Sequence, residues 1–328
     1  MITRRYDLAG LLLEVSADAP NLLGSLLSLI GEWEVPVSDD RPQCRFSLSR
    51  GPVAAALPPD GVFFAGAIGE DGPYEFAGDT TLWQILKPNE LLARFDGIGG
   101  SVEFTLGATC TGETLSIVTS FALDHILSVA GHVMIHAACV ELPGGKGRLV
   151  LHAPSGTGKT TTALSLVEKG YRLCTDDATI LTPAGSGPVA VRGVPRPIKV
   201  HRRTAQLLPW LDSMVNADGW DENGEQWVSR KDLAQAGRLA GSEPMPVAAV
   251  VALRRSDRPM RVTTLSGAEA LTEMMADNIN LGSAGLFPWH DKRLDVYSQT
   301  LASCARFRLE INGPPGEVAA EIDAALQG

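Results

Sequence analysis

Residues 148–177 read RLVLHAPSGTGKTTTALSLVEKGYRLCTDD. The stretch opens with an apolar strand, Arg148-Leu149-Val150-Leu151-His152, and turns through Ala153-Pro154-Ser155-Gly156-Thr157-Gly158-Lys159-Thr160. A helix is expected from about Thr160 to Glu168, with Gly170 placed to stop it. A second short strand, Tyr171 to Cys174, then delivers Asp176 and Asp177. Strand, glycine-rich turn and helix with a Lys-Thr pair at its start make a phosphate-binding loop, and the alternative of an ordinary strand–turn–helix connection leaves that pair unexplained.

The chemistry follows from the residue types. Glycines let several backbone N–H groups turn toward one anion, and the helix adds its free N–H groups and positive dipole end. The usual pattern is G-x-x-x-x-G-K-[ST]. Ala153 stands at its first glycine, Gly158, Lys159 and Thr160 keep the rest, and Gly156 adds a flexible point. Lys159 suits the β/γ-phosphates and the Thr160 hydroxyl suits Mg²⁺. The expected ATP contacts are Ser155, Gly156, Thr157, Gly158, Lys159, Thr160 and Thr161. Asp176 and Asp177 project in different directions from a strand end. One of them suits Mg²⁺, directly or through water, and the other suits proton acceptance; a solvated turn or a helix cap is the plainer reading of such a pair.

Working outward, Glu113 to Ala130 reads as an amphipathic helix closed by Gly131, with Leu115, Val118, Phe121, Ala122, Ile126 and Val129 in one stripe. Val133 to Leu142 is a strand that pairs as a hairpin, across Pro143-Gly144-Gly145, with the strand before the loop. His136 lies in its middle, where a lone histidine is as readily a satisfied core residue as a functional one. His125 and His132 are weaker candidates, and His152 is expected to pack or cap locally.

Beyond the Asp pair, strands are expected at 179–181, 189–191, 247–253, 260–265 and 306–311, and helices at 267–279, 292–303 and 317–326. Val247 to Leu253 is apolar enough to be buried on both faces. Residues 212–232 form a long polar stretch, expected to be a loop that contacts substrate. Helices alternating with strands make this half α/β. Before it, strands are expected at 6–15, 44–48, 62–67 and 101–106, with turns at Ser38-Asp39-Asp40 and Glu70-Asp71-Gly72-Pro73. Residues 23–33 suit a helix, and 82–95 suit a helix or a strand pair broken near Pro88. Pro20, Pro36, Pro42, Pro52 and the Pro58-Pro59 pair are expected in loops. Two domains result: a β-rich α+β domain over 1–112 and a phosphate-loop domain over 113–328.

Composition narrows the partners. With 28 Lys and Arg against 38 Asp and Glu, the net charge of −10 argues against nucleic acid or an anionic membrane. The five cysteines lack a C-x-x-C spacing, which fits reduced, buried thiols in a cytoplasmic protein rather than a zinc site. No run is apolar over the ~18 residues that a membrane span needs.

The order IHAACVEL, APSGTGKTTTALSLVEKGYRLCTDD and VRGVP resembles the C-terminal catalytic domain of HPr kinase/phosphorylase and related kinases. The resemblance covers about residues 113–328, most specifically 132–199. It implies that the phosphate loop binds ATP, that Thr160 and Asp176 hold Mg²⁺, and that Asp177 accepts the proton of a substrate hydroxyl, with His136 contacting this carboxylate network. Arg192 and Gly193 match the R-G of the family's E-x-R-G signature, whose glutamate falls on Ala190, removing one acid from the family's metal shell. Arg230 and Lys231 are substrate candidates by position. The activity implied is a phosphotransferase acting on a serine of a protein or peptide. By family analogy that includes peptide natural-product precursors such as lasso peptides. A kinase for free serine or a sugar, and a non-catalytic nucleotide-binding regulatory module, stand as alternatives. The oligomeric state stays open, a homo-oligomer included.

Overall fold

The computed structural model describes residues 1–328 except 9, 25, 27–29, 54–60, 69–70, 186, 279–280, 283–284, 287–290 and 328; at 281–282, 285–286 and 291–292 only the backbone is described. The class is mixed α/β, in two compact units: residues 1–133 with 279–294, and residues 134–278 with 295–328.

The first unit holds β1 (Ile2–Leu8), β2 (Leu11–Ala17), β3 (Glu34–Val35), β4 (Cys44–Arg50), β5 (Val62–Ile68), β6 (Asp71–Gly78), β7 (Leu82–Lys87), β8 (Leu91–Asp96) and β9 (Ser101–Leu106). They form one sheet in the order β3-β1-β2-β4-β9-β8-β7-β6-β5. The pairs β2–β4 and β4–β9 are parallel and the other pairs antiparallel. The strand expected over 6–15 is a hairpin instead, because Gly10, at φ +86°, turns the chain between β1 and β2. The expected turn at 70–73 lies inside β6 from Asp71 onward, with Glu70 outside the described residues. Residues 82–95 resolve as the strand pair β7–β8. The helix expected over 23–33 is flanked by 3-10 turns at Pro20–Leu23 and Gly31–Trp33 and overlaps residues outside the description, as do Pro58 and Pro59.

Helix α1 (Gly112–Val129) begins at Thr111, whose side chain accepts from the Thr114 N–H. Its apolar stripe covers the sheet of the first unit. Phe121 meets Phe76 edge to face at 5.2 Å, and Trp83 Nε1 donates to His125 Nδ1 at 3.3 Å. The division between units therefore falls at 133/134, not at the 112/113 boundary expected from sequence. A helix goes with the surface that buries its stripe.

The second unit contains β10 (Val133–Glu141), β11 (Arg148–His152), α2 (Lys159–Glu168), β12 (Arg172–Thr175), β13 (Ala178–Thr182), β14 (Ala190–Gly193), β15 (Ile198–His201), α3 (Arg202–Leu207), β16 (Glu225–Val228) and α4 (Arg230–Gln235). It continues with β17 (Met245–Arg255), β18 (Arg261–Thr264) and α5 (Gly267–Asn278). In chain order the short pair β19 (Leu281–Gly282) and β20 (Gly285–Leu286) then belongs to the first unit, as does the start of helix α6 (Asp291–Ser303); the rest of α6, β21 (Ala305–Ile311) and α7 (Pro315–Gln327) belong to the second.

Strand β17 is the axis of this unit. It pairs in parallel with β11 on one side and β21 on the other, and its first residues meet β14. Val247 and Ala249 to Leu253 are buried, as the apolar run predicts. The hairpin β10–β11 forms in the expected register, Ala137 opposite His152. Strand β10 also takes β12 and neighbours β13, so the chain after the phosphate loop returns beside it. Part of the expected 212–232 loop is strand β16, which pairs with β15 through Lys199–Trp227 and its neighbours. Among the described residues, no helix is long and apolar enough to cross a membrane.

Candidate functional site

Strand β11 ends at His152 in the middle of the sheet, and the chain leaves through the glycine-rich turn. Gly156 has φ +75° and Gly158 φ +119°; a Cβ at either would meet nothing within 4 Å. These glycines are needed for their backbone angles, not for space. Gly158 caps α2 with no side-chain acceptor for its first N–H groups. Such a cap leaves donors and the positive dipole end available to an anion.

Lys159 is 7% exposed and lies across the turn, donating to the Ala153 carbonyl at 2.8 Å. Burial pushes its pKa below the ordinary lysine value, against the pull of Asp277 and Asp176. Ser155 and Gly156 are exposed, and Thr157 is buried. Thr161 turns its hydroxyl to Thr204 of α3 at 2.8 Å. Its backbone stays in the first turn of α2.

Strand β12 carries the two carboxylates to this turn. Asp176 is 4% exposed, and the Thr160 hydroxyl donates to its Oδ2 at 3.2 Å. Burial raises the Asp176 carboxyl above the ordinary value. The Arg196 charge, the Thr160 hydroxyl and backbone N–H groups, that of Lys199 among them, only partly oppose this. Asp177 points the other way, its Oδ1 2.7 Å from His136 Nδ1 and its Oδ2 ion-paired with Arg196. The His136 ring is half-exposed. Desolvation, then the charges of Lys159 and Arg196, push its pKa down to about 4, so the neutral imidazole donates to the Asp177 carboxylate near pH 7.

Gly193 explains how this strand end is held. A Cβ there would stand 2.6 Å from the Cys174 carbonyl oxygen and 2.7 Å from its carbon. Only glycine lets β14 approach the residues that position Asp176 and Asp177. Arg192 is buried on β14 opposite Ile180, and Ala190 sits at the other end of that strand, opposite Thr182 and Pro246. Arg230 is also buried, and its guanidinium donates to the Cys174 carbonyl at 2.9 Å; Lys231 is exposed on α4. Arg230 thus ties α4 to β12.

Three groups escape any local reading of the sequence. Arg196 enters through its ion pair with Asp177. Asn278 Oδ1 accepts the His136 backbone N–H at 2.7 Å. Asp277 accepts from His152 at 2.7 Å and pairs with Arg254 at 3.0 Å. Burial alone would raise the Asp277 carboxyl, but the hydrogen bond from His152 and the His152 and Arg254 charges hold it below the ordinary value. His152 is therefore fastened to α5 through Asp277, not packed locally. The last two groups come from a helix about a hundred residues downstream of the loop, so no motif spacing announces them.

No family model matches this chain, and no curated protein matches it significantly in sequence. The geometry therefore stands on its own. It joins an anion-receptive helix start, a buried lysine, a hydroxyl–carboxylate pair of hard oxygen donors, and a second carboxylate hydrogen-bonded to a neutral histidine. Among the described residues, no group of three His, Cys, Asp or Glu side chains is arranged around one metal position. A cation such as Mg²⁺ asks for less, since it is held by one or two carboxylates together with water and phosphate oxygens. Thr160 and the under-neutralised Asp176 fit that requirement.

Proposed function

We propose that the second unit is a P-loop kinase domain of the HPr-kinase type, transferring the γ-phosphoryl group of ATP to a hydroxyl, a serine of a protein or peptide. One observation carries this reading. Adjacent residues at one strand end divide two tasks, Asp176 facing the Thr160 hydroxyl at 3.2 Å and Asp177 facing His136 at 2.7 Å. Phosphoryl transfer needs that division, because it depends on charge neutralisation and alignment of a nucleophile rather than on covalent help.

In this reading the loop N–H groups and Lys159 bind the phosphates. Thr160 and Asp176 hold Mg²⁺, which when bound supplies further neutralisation of phosphate charge. Asp177 takes the proton of the substrate hydroxyl. His136 Nδ1–H holds the Asp177 carboxylate in position without itself changing charge. Ala190 leaves the family's signature acid out, so the proposal is limited to forward transfer.

The test is ATP turnover against peptides, HPr-type proteins, free serine and sugars, for wild type and Asp177→Asn. Transfer to a peptide or protein serine, lost in the variant by about 10²–10⁴-fold, is expected for a general base. Transfer only to a free metabolite overturns the substrate class. Nucleotide binding with no transfer, unchanged in the variant, leaves a regulatory module.

A further inference from the structure

We infer that Arg196 is a catalytic residue of this transfer, a cation that leaves Asp177 when ATP binds and contacts the transferred phosphoryl group. The inference rests on the kinase reading above.

The Asp177 carboxylate has both oxygens engaged, Oδ1 with His136 and Oδ2 with Arg196. Each oxygen keeps a second lone pair, but with a ring N–H on one and a guanidinium on the other the carboxylate is crowded where a substrate hydroxyl would approach. Opening one contact clears that approach. His136 is the poorer candidate, because β10 fixes its backbone through Asn278 and through the bond from the Ala137 N–H to the Asp177 carbonyl at 2.9 Å. Arg196 sits between Pro195 and Pro197, and its own N–H donates to the Val194 carbonyl at 3.0 Å. Prolines on both sides restrict the chain path. The backbone is pinned while the long side chain, 22% exposed, is the part free to swing.

Its surroundings say where it swings. The Arg196 guanidinium pairs with Asp177, and its charge reaches Asp176 and His136. Asp176 lies against Thr160 at the start of α2, where the phosphates are proposed to bind. A guanidinium offers two parallel N–H donors to phosphate oxygens, and a triphosphate carries more charge than one carboxylate. ATP therefore competes for Arg196, and the same movement frees Asp177 Oδ2. In the step itself the hydroxyl proton goes to Asp177, the new O–P bond forms as the bond from Pγ to the ADP oxygen breaks, and ADP leaves with that electron pair.

Arg196→Ala and Arg196→Gln separate this from a structural ion pair, the glutamine variant guarding against a folding defect in the alanine one. Calorimetry with Mg²⁺ and ADP, with and without aluminium fluoride as a mimic of the transferring group, reads the contact directly. Both variants are expected to keep ADP affinity within about threefold, to lose most of the fluoride-dependent gain, and to drop kcat by about 10²–10³-fold with KM for ATP little changed. Unchanged kcat and an unchanged fluoride gain overturn the inference. If wild type transfers phosphate to nothing, the kinase reading falls separately. The contact is then judged by the preference for ATP over ADP: its loss in both variants supports a γ-phosphate contact, and its retention refutes one.

Discussion

Two lysines in this chain are buried to nearly the same extent and are held in opposite ways. Lys87, 6% exposed in the first unit, reaches Asp71, Glu90 and the Thr114 hydroxyl, while Tyr74 donates to Asp71. Burial alone would depress its pKa, but the hydrogen bonds it donates to Asp71 and Glu90 outweigh that and raise it. Lys159, 7% exposed in the second unit, has the Ala153 carbonyl as its near partner, and burial leaves its pKa depressed. The first ammonium is answered by carboxylates within its own fold, and the second by a neutral dipole. A buried cation whose carboxylates act only at a distance has attraction in reserve for a charged ligand. Lys87 reads as structure and Lys159 as function for that reason, although burial treats them alike.

Substitution breaks or sharpens this contrast. Lys87→Met removes one partner of a buried ion cluster and strands Asp71 and Glu90. About 3–5 kcal/mol of stability is expected to go, measured by urea unfolding. Stability unchanged within about 0.5 kcal/mol would mean that the cluster is not what holds this part of the first unit. Lys159→Met should do the reverse, lowering phosphoryl transfer by about 10²–10³-fold while the unfolding midpoint holds or rises. A large stability loss there would make Lys159 a structural residue like Lys87.

Gly193→Ala tests the scaffold of the candidate site in the second unit. Its Cβ collides with backbone at 2.6 Å, so a cost of about 1–3 kcal/mol is expected, with loss of transfer in the protein that remains folded. Full activity in that variant would show that Asp176 and Asp177 do not depend on the close approach of β14.

The smallest effect is the pH dependence of the Lys87 penalty. Burial raises the Asp71 carboxyl, but the Lys87 and Tyr74 hydrogen bonds bring it below 3.8 overall. A carboxyl lowered on folding stabilises above its unfolded value and stops doing so as pH falls through the folded one. The gap between wild type and Lys87→Met should be complete above pH ~4 and shrink as the medium becomes more acid. A gap that widens in acid would contradict the pairing.

Much of the second unit was legible before any fold was known. The strand–turn–helix over 148–168, the apolar β17 and the β10–β11 hairpin all follow from short-range pattern, because each is decided by neighbours in sequence. Longer-range features were not. The stripe of α1 is plain in sequence, but nothing in the stripe says which sheet covers it, and it went to the first unit. Strand β16 hides in a polar stretch because only its partner β15 makes Glu225–Val228 a strand. Arg230 is a substrate candidate by position, and its tie to the Cys174 carbonyl is visible only in the fold.

The site divides in the same way. By itself the sequence determined a turn that presents N–H groups to an anion, the lysine and threonine beside it, and two carboxylates one strand later. Backbone angles and helix starts are local properties, carried by glycine and by position. The tertiary structure alone decided that Asp176 faces Thr160, that Asp177 is gripped by His136 and Arg196, and that His152 is fastened by Asp277 from a helix over a hundred residues away. Those are choices of partner, and a buried charge selects its partner by distance in space.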